Sequence, residues 1–337
     1  MKKVFFILLS VLMLFLLVSC EKSDEKDGIK VAMITSQGGL GDKSWNDSGY
    51  QGLVKAKEGM DIETKVIEPK DAAEGEKFLN DLAQAGYDLI ITMEYAHGDV
   101  LKEVAPKYKD THFAIFNQVV DVPNVVSVVF GEHEGSFLAG ALAALMTTDT
   151  SIPRINSDKK IGFIGGIQSP GIDKFLVGYR EGAKYIDKDI QVVVGYANSF
   201  GDPNKGKEIA SSQINNGVDI IYSVAGGTGI GVFEEAENKN VYAIGVDTDQ
   251  DYLKPGTILT SMLKRVDLSI YEIIKQLVDG KLQNNTVMTP ALAQKGVSLT
   301  EMKYTKDDIP AKYLERLEEI KQDIINNKIK VTDITAK

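Results

Sequence analysis

Short apolar runs rich in valine and isoleucine recur along the chain and alternate with longer segments of helical periodicity. The apolar runs predict strands at 29–34, 63–67, 88–93, 112–116, 125–129, 160–164, 191–196, 219–224 and 241–246. The segments between them predict helices at 44–57, 72–85, 100–107, 134–146, 174–186, 204–216 and 231–239. Runs without polar alternation are typical of parallel strands that are buried on both faces. The pattern therefore predicts an α/β protein built from βα units.

This alternation falls into two similar halves, which open with the runs at 31–34 and 162–164. The chain is longer than a single core usually supports, so two lobes with a cleft between them are expected. In open α/β sheets, ligands bind outside the carboxyl ends of the strands, where loops and helix N-termini converge. Candidate site residues are therefore sought directly after the predicted strands.

The first residues have the layout of an export signal. Lys2 and Lys3 precede an apolar stretch at 4–18, which is shorter than the roughly 20 residues that a transmembrane helix needs. Ser19 and Cys20 resemble a bacterial lipobox, which implies cleavage after a signal peptide at 1–19 and acylation of Cys20. The polar stretch up to residue 27 then reads as a lipidated linker, 20–27. The alternative is an uncleaved anchor helix with an incidental cysteine; in both cases the domain is exported and tethered to the cell membrane.

Charge and composition exclude several classes of function. The chain has 38 basic and 48 acidic residues, net charge −10, and loss of Lys2 and Lys3 with the signal makes this −12. Nucleic-acid binding needs a basic surface, so no nucleic-acid partner is expected. Cys20 is the only cysteine and the three histidines lie far apart, so neither disulfides nor a zinc centre are expected. We expect no cofactor, no metal and no catalytic residue, because no nucleophile or metalloenzyme motif occurs.

The loop at 36–47, SQGGLGDKSWND, follows the first predicted strand. Its glycines permit tight turns, and Ser44 is a candidate N-cap for the next helix. Trp45 is the only tryptophan and stands at the junction of loop and helix. Its two interpretations are a stacking surface for a flat ligand and a cover for the core.

Two further strand ends carry candidate binding groups. The glycine-rich segment 225–231 follows a strand, but its spacing differs from that of dinucleotide and P-loop fingerprints, so its amides are expected to face a neutral or polar ligand. Asp247 and Asp249 end the next strand, and such a pair can serve acid–base chemistry, a divalent cation or a sugar diol. Lys264 follows a strand-like run at 257–262, where its ammonium is expected to meet Asp247.

Seven stretches together resemble the basic membrane lipoprotein family of ABC-transporter substrate-binding proteins, and within it the purine-nucleoside receptors. They are GDKSWND (41–47), NVVSVVFGEHEGSFLAGALAALM (124–146), IGFIGGIQSP (161–170), SFGDPNKGKEIA (199–210), DIIYSVAGGTGIGV (219–232), YAIGVDTDQ (242–250) and LTSMLKRVD (259–267). The resemblance implies a type I periplasmic binding protein fold, in which a hinge joins two Rossmann-like lobes with parallel sheets. It also implies a first lobe at 28–124 plus about 250–285, a second lobe at 125–249 plus about 286–337, and hinge crossings near 122–124 and 247–252.

The resemblance also implies a set of ligand-binding residues. Trp45 and Phe200 would lie on the two faces of a purine, although Trp45 stands where the relatives usually have phenylalanine. Asp42 and Asn46 match the loop that addresses the base edge. Ribose would be held by Gly226, Asp247 and Lys264. Two positions depart from the family pattern: Asn117 stands where many relatives carry aspartate, and Tyr95 lies in a turn that is usually small or polar.

The resemblance thus predicts a membrane-anchored lipoprotein of an ABC importer that binds a purine nucleoside in the interlobe cleft. Its partners would be the permease and ATPase subunits of that transporter, and the lipid bilayer through Cys20. Three alternatives stay open at this point. They are a receptor for a sugar or other small polar ligand on the same fold, a structural lipoprotein without a working cleft, and a nucleoside-acting enzyme.

Overall fold

The computed structural model describes residues 28–336, so the predicted signal peptide, Cys20 and the linker up to residue 27 lie outside the described residues. Within 28–336, no helix is both long and apolar enough to cross a membrane. The strands of this part form two six-stranded sheets. In chain order they are β1 (Ile29–Ile34), β2 (Ile62–Ile67), β3 (Leu89–Thr92), β4 (His112–Phe116), β5 (Val125–Val128), β6 (Lys160–Gly165), β7 (Gln191–Tyr196), β8 (Val218–Val224), β9 (Tyr242–Asp247), β10 (Ile258–Lys264), β11 (Val287–Met288) and β12 (Val297–Leu299).

The two sheets have the same topology in outline. The first has the order β11-β5-β4-β3-β1-β2 and is parallel throughout. The second has the order β12-β10-β9-β8-β6-β7, and only its edge strand β12 runs antiparallel to its neighbour. The central strands are buried on both faces, as their uninterrupted apolar runs require. The predicted two-lobed α/β fold is confirmed.

Helices alternate with the strands and cover the sheets. They are α1 (Trp45–Gly59), α2 (Gly75–Gln84), α3 (His97–Val104), α4 (Glu132–Thr147), α5 (Pro170–Ile186), α6 (Pro203–Asn215), α7 (Gly229–Asn238), α8 (Val266–Val278) and α9 (Ala311–Ile325). Two of them begin with a proline behind a capping side chain: Ser169 accepts a hydrogen bond from the amide of Ile172, and Asp202 from that of Lys205. Both helices therefore begin at a fixed residue beside a strand end.

Helices α4 and α5 lie unusually close together because glycines face backbone on the neighbouring helix. A Cβ atom on Gly182 of α5 would lie 1.9 Å from the carbonyl oxygen of Phe137 in α4, and one on Gly140 of α4 would lie 2.0 Å from that of Tyr179 in α5. Almost every residue of α4 is buried. This contact fixes the N-terminal ends of α4 and α5 next to each other, beneath the site described below.

The predicted lobe boundaries are wrong at two strands. Strand β5 was expected in the second lobe, but it pairs with β4 in the first sheet, with Phe113 opposite Val125. Strand β10 was expected in the first lobe, but it pairs with β9 in the second sheet. The connection 117–124 between β4 and β5 contains no helix, so the alternation of strands and helices is interrupted there. In the sequence, β5 therefore looks like the first strand of the second lobe.

Within residues 28–336 the chain consequently crosses between the lobes three times, and at other places than 122–124 and 247–252. The first crossing follows β5, since α4 packs on the second sheet. The second lies at Arg265, because β10 belongs to the second sheet whereas α8 packs against α1. The third joins β11 to β12 through 289–296. Strand β11 also shows that the segment after 286 does not belong wholly to the second lobe.

Candidate functional site

A cavity of about 340 Å³ lies between the lobes, where the carboxyl ends of strands from both sheets converge. This volume is in the range of small-molecule sites, roughly 300–1,000 Å³. The cavity brings together every ligand-binding residue predicted from the sequence. These are Asp42, Trp45, Asn46, Tyr95 and Asn117 from the first lobe, and Phe200, Gly226, Asp247 and Lys264 from the second. Their contacts with a ligand stay a prediction.

The loop before α1 is held in shape by the buried carboxylate of Asp42. Its Oδ1 accepts hydrogen bonds from the amides of Ser44 (2.9 Å) and Asp47 (3.1 Å). Its Oδ2 accepts from the amide and side-chain nitrogen of Asn46 (2.9 and 3.1 Å). Burial raises the pKa of Asp42, and the amide hydrogen bonds oppose that rise. Asp42 thus satisfies the first amides of α1, the capping role that was predicted for Ser44.

Asn46 is fully buried, and its side chain joins the loop to the start of α1. Its Oδ1 accepts hydrogen bonds from the amide (2.8 Å) and hydroxyl (3.2 Å) of Ser36, while Nδ2 also donates to the carbonyl of Gln37 (3.4 Å). Both polar atoms of Asn46 therefore have protein partners while the residue lines the cavity.

Trp45 is half-buried and held from several sides. Its indole N–H donates to the carbonyl oxygen of Met93 at 3.1 Å, directly after β3. Phe116 meets the indole edge to face, with 6.0 Å between the ring centroids. The ammonium of Lys264 lies 4.3 Å from the indole centroid, a cation–π distance. The indole is therefore a fixed wall of the cavity.

Phe200 faces the same cavity from the loop before α6. Its ring lies against Gly166, where a Cβ atom would be 2.2 Å from Cε1 of the phenylalanine. Its carbonyl oxygen accepts a hydrogen bond from the amide of Thr228 at 3.2 Å, which ties it to the glycine-rich turn after β8. Gly226 in that turn has a φ of +55°, which glycine adopts at little cost.

Asp247 ends β9 with a φ of +67° and is almost fully buried. Its Oδ2 accepts a hydrogen bond of 2.5 Å from the hydroxyl of Ser44, which belongs to the first lobe. Burial raises the pKa of Asp247 to about 6, although the nearby charge of Lys264 and the Ser44 hydrogen bond oppose the rise. The carboxylate is thus ionised at neutral pH and titrates within a unit or so of it.

Lys264 does not form the ion pair with Asp247 that the sequence predicted. Its ammonium lies 2.8 Å from Oε1 of Glu132, at the N-terminus of α4, and donates a 2.7 Å hydrogen bond to Oδ1 of Asn117. Only about 2% of the Lys264 side chain is exposed. The reason is positional, since β10 ends beside the first turn of α4, where a second carboxylate stands closer.

Glu132 is shared between two buried lysines. Its Oε2 lies 3.2 Å from the ammonium of Lys174, which also lies 3.1 Å from Asp333 and donates to the carbonyl oxygen of Phe130 at 2.8 Å. Burial pushes the pKa of Glu132 upward, but the two ammonium groups outweigh it and hold the pKa below its usual value. Lysine and carboxylate charges therefore alternate from the cavity wall to the C-terminal segment.

Tyr95 lies at the rim, where about 48% of the residue is exposed, and its carbonyl oxygen accepts a hydrogen bond from the side-chain amide of Gln118. The cavity also contains residues that sequence reasoning did not single out. Polar examples are Ser36, Gln37, Glu94 and Ser169, and apolar examples are Met93, Ile167, Ile172, Phe175, Val224 and Val246. Five of these ten follow a strand within three residues, which is the signal by which they could have been found: Ser36, Gln37, Met93, Glu94 and Ile167. Across residues 28–336, no cluster of three or more histidine, cysteine or carboxylate residues is arranged to hold a metal ion.

Comparison with known proteins gives one family. The family model described as "ABC transporter substrate-binding protein PnrA-like" matches residues 29–335. A relative from Listeria monocytogenes named "CD4+ T-cell-stimulating antigen" is 35% identical, over 90% of this chain and 88% of that protein. The "ABC transporter nucleoside-binding protein BmpA" of Lactococcus lactis is 33% identical, over 91% of this chain and 90% of its own length.

Among solved structures, an ABC transporter solute-binding protein from Aeropyrum pernix superimposes with a TM-score of 0.85 at 27% identity. The match covers 91% of this chain and 94% of that one. Sequence and structure thus agree over nearly all of the described residues, including both walls of the cavity.

Proposed function

Because the chain belongs to the Bmp family of PnrA-like ABC transporter substrate-binding proteins, we propose that it captures a purine ribonucleoside and hands it to an ABC importer. A family of substrate-binding proteins has no catalytic step, so the chain is not an enzyme. The main support for a nucleoside ligand is that one cavity is lined by two aromatic side chains, Trp45 and Phe200, and by the buried carboxylate of Asp247. The nucleoside-binding relative from Lactococcus lactis supports the same ligand class.

The aromatic side chains supply the base site. Trp45 is held by its hydrogen bond to Met93, and Phe200 by the packing against Gly166, so neither ring has to be ordered when a base enters. Stacking on an aromatic side chain contributes roughly 1–3 kcal/mol per base. A flat heteroaromatic ligand uses this arrangement better than a sugar does.

Asp247 supplies the sugar site. At neutral pH its carboxylate accepts hydrogen bonds, and a vicinal diol can donate two of them. Such charge-assisted bonds contribute roughly 1.5–3 kcal/mol each before the cost of desolvation. Ser44 donates to one of these carboxylate oxygens, so that oxygen has a protein partner independently of any ligand.

The charges around the cavity oppose a phosphate group. Asp42, Glu94 and Asp247 line it, and the charge of Lys264 is balanced by Glu132. A 5′-phosphate would bring further negative charge to a wall that is already acidic. We therefore propose nucleosides rather than nucleotides as ligands.

The test is a thermal-shift and calorimetry panel on protein that starts at Glu21. We expect purine ribonucleosides to bind best, 2′-deoxyribonucleosides more weakly because one hydroxyl donor is missing, and free bases most weakly. Nucleoside monophosphates and free sugars should give no shift. If only a free sugar stabilises the protein, the ligand is a carbohydrate and the nucleoside proposal is wrong. If free purine binds as tightly as its ribonucleoside, Asp247 does not bind the sugar.

We further propose that Cys20 is lipidated and holds the domain at the extracytoplasmic face of the cell membrane, within reach of the permease. The sequence features that support this are the short apolar stretch, the small Ser19 before Cys20 and the polar linker behind it. In the parent, labelled fatty acid should enter the protein, and the protein should partition into detergent. Cys20→Ser should abolish both, and label that still enters this variant would disprove the anchor.

A further inference from the structure

Asn117 occupies a special backbone position at the edge of the cavity. It follows β4 directly and has a φ of +66°, a conformation in which asparagine, aspartate and glycine are enriched. Its amide donates to the carbonyl oxygen of Val128 at 2.8 Å, which fixes the backbone against β5. The side chain therefore leaves a rigid point and lines the cavity.

The orientation of this side-chain amide is determined by Lys264. An ammonium group can only donate hydrogen bonds, so the atom of Asn117 that lies 2.7 Å from it must be the oxygen Oδ1. Lys264 is itself held by the ion pair with Glu132 and is almost fully buried, so it cannot swing away at little cost. The –NH₂ group of Asn117 is left without a hydrogen-bond partner among residues 28–336.

The neighbouring ring indicates which part of a ligand meets this donor. The same ammonium that bonds Asn117 lies over the Trp45 ring, 4.3 Å from its centroid, and Asn117 and Trp45 both line the cavity, so the amide stands close to the proposed stacking surface. A base on Trp45 would therefore present an edge to Asn117. The free N–H donors and the positive charge behind them both favour an oxygen acceptor on that edge.

We infer that Asn117 makes the site selective for 6-oxopurine nucleosides over 6-aminopurine nucleosides, an inference that rests on the proposed nucleoside function. The 6-oxygen of a base such as hypoxanthine or guanine accepts from the –NH₂ group. The 6-amino group of adenine is itself a hydrogen-bond donor, so it cannot pair with the –NH₂ group of Asn117. Both groups would then lack a partner in a partly desolvated site. An unpaired buried donor typically costs enough free energy to change affinity roughly 10- to 100-fold.

Two substitutions separate the hydrogen bond from the backbone conformation. Asn117→Gly removes the side chain but keeps the left-handed backbone at low cost, whereas Asn117→Asp keeps the shape and replaces the donor by a carboxylate. Asn240→Asp is the matched control, because Asn240 is exposed, has a φ of +56° and precedes β9 at the other end of the sheet. A cooperative thermal unfolding transition will show that each variant is folded. If Asn117→Asp does not fold, Asn117→Gly alone tests the inference.

Calorimetry with inosine and adenosine then gives the preference ratio. We expect the parent and Asn240→Asp to prefer inosine about tenfold or more, Asn117→Gly to lose most of this preference, and Asn117→Asp to shift it toward adenosine. If the preference for inosine persists unchanged in Asn117→Gly, or if the parent binds both nucleosides equally, Asn117 does not determine selectivity, but the proposed nucleoside function still stands. A parent that binds no nucleoside would overturn the proposed function and this inference with it.

Discussion

The ammonium of Lys264 connects the features of the cavity at the scale of single residues. It touches Glu132 from one lobe, Asn117 from the other, and the face of Trp45. Its charge acts on Asp247 through space, where it opposes the rise in pKa that burial causes. One buried cation therefore orients an amide, holds an indole and favours the ionised form of a carboxylate.

Trp45 is the residue whose loss should be easiest to measure. Because it is the only tryptophan, its fluorescence should change when a purine nucleoside binds. Trp45→Ala should weaken nucleoside binding by roughly 1–3 kcal/mol, since it removes one stacking face. Trp45→Phe should retain most of the affinity, because a phenyl ring still stacks although it cannot donate to Met93. Unchanged affinity in Trp45→Ala would make the residue a cover of the core.

Asp247 should give the site a dependence on pH. Its folded-state pKa is about 6, so the carboxylate that we propose as the ribose acceptor becomes protonated as the pH falls below that value. Purine ribonucleoside affinity should therefore fall between pH 7 and 5, by up to about tenfold per unit below pH 6. Asp247→Asn should bind more weakly at pH 7 and lose this pH dependence.

The stability of the ligand-free protein should respond to Asp247 in the opposite direction. A folded-state pKa above the ordinary 3.8 means that the folded state holds the proton more tightly, so this group's contribution to the free energy of unfolding decreases as pH rises from about 4 to 6. Asp251 is a matched control: burial raises its pKa to about 6 too, but it bonds Ser261 and Thr300 outside the cavity. Asp251→Asn should alter the pH profile of stability and leave that of affinity unchanged.

The sequence pattern predicts residues that follow a strand directly, such as Asp247, or that stand in the loop behind one, such as Trp45. It does not predict Glu132, which the sequence shows only as the first acid of an apolar helix, because the importance of Glu132 depends on Lys174 and Lys264 lying beside it. For the same reason the predicted ion pair between Asp247 and Lys264 is wrong. Pairing between distant strands and helices decides which carboxylate stands nearest, and spacing along the chain does not contain that information.

Among the elements, the pair α4 and α5 supports the site from below. Their close approach places Glu132 in the first turn of α4 beside Lys174 in the first turns of α5. Gly182→Ala should destabilise the domain by about 1–3 kcal/mol, because its Cβ would lie 1.9 Å from the carbonyl oxygen of Phe137 and the helices would have to separate.

Gly171 in the same helix is the control for that change, measured by denaturant unfolding. A Cβ there would come no closer than 3.9 Å to the nearest atom, Oγ of Ser169, so Gly171→Ala should leave stability unchanged or raise it slightly. Equal stability of Gly182→Ala and the parent would show that the helices can move apart without cost. In that case their contact would not fix the position of Glu132.

The elements that the sequence predicted well are those with strong periodicity, including β1, β4 and β7, whose bounds agree with the structure. Strand β5 was recognised, but an apolar run does not say which sheet it joins. Helices α8 and α9 and the short strands β11 and β12 were not predicted. The last two are only two and three residues long, too short for a periodic signal, and they form only because a sheet edge is there to pair with.

Over the whole molecule, two of the hydrogen bonds that join the lobes on the cleft side converge on one carbonyl group. The backbone oxygen of Lys43, in the first lobe, accepts from the hydroxyl of Thr248 at 2.7 Å and from the side-chain amide of Gln250 at 3.0 Å. Both donors follow β9 of the second lobe. Because these bonds join the two walls of the cavity, we expect them to favour the conformation in which both walls meet a ligand, and so to add to ligand affinity.

Removing one of them should weaken every ligand by the same factor. Thr248→Val keeps the shape of the side chain but loses the hydroxyl donor, and a hydrogen bond of this kind typically contributes about 0.5–1.5 kcal/mol. Inosine and 2′-deoxyinosine should therefore both bind a few-fold to about tenfold more weakly, mainly through faster dissociation measured by stopped flow, and their ratio should stay constant. Thr286→Val is the control, because that hydroxyl donates to Gln283 away from the cleft. A change in the ratio would mean that Thr248 acts on the sugar itself, whereas unchanged affinity would mean that the Lys43 contact does not contribute to closure.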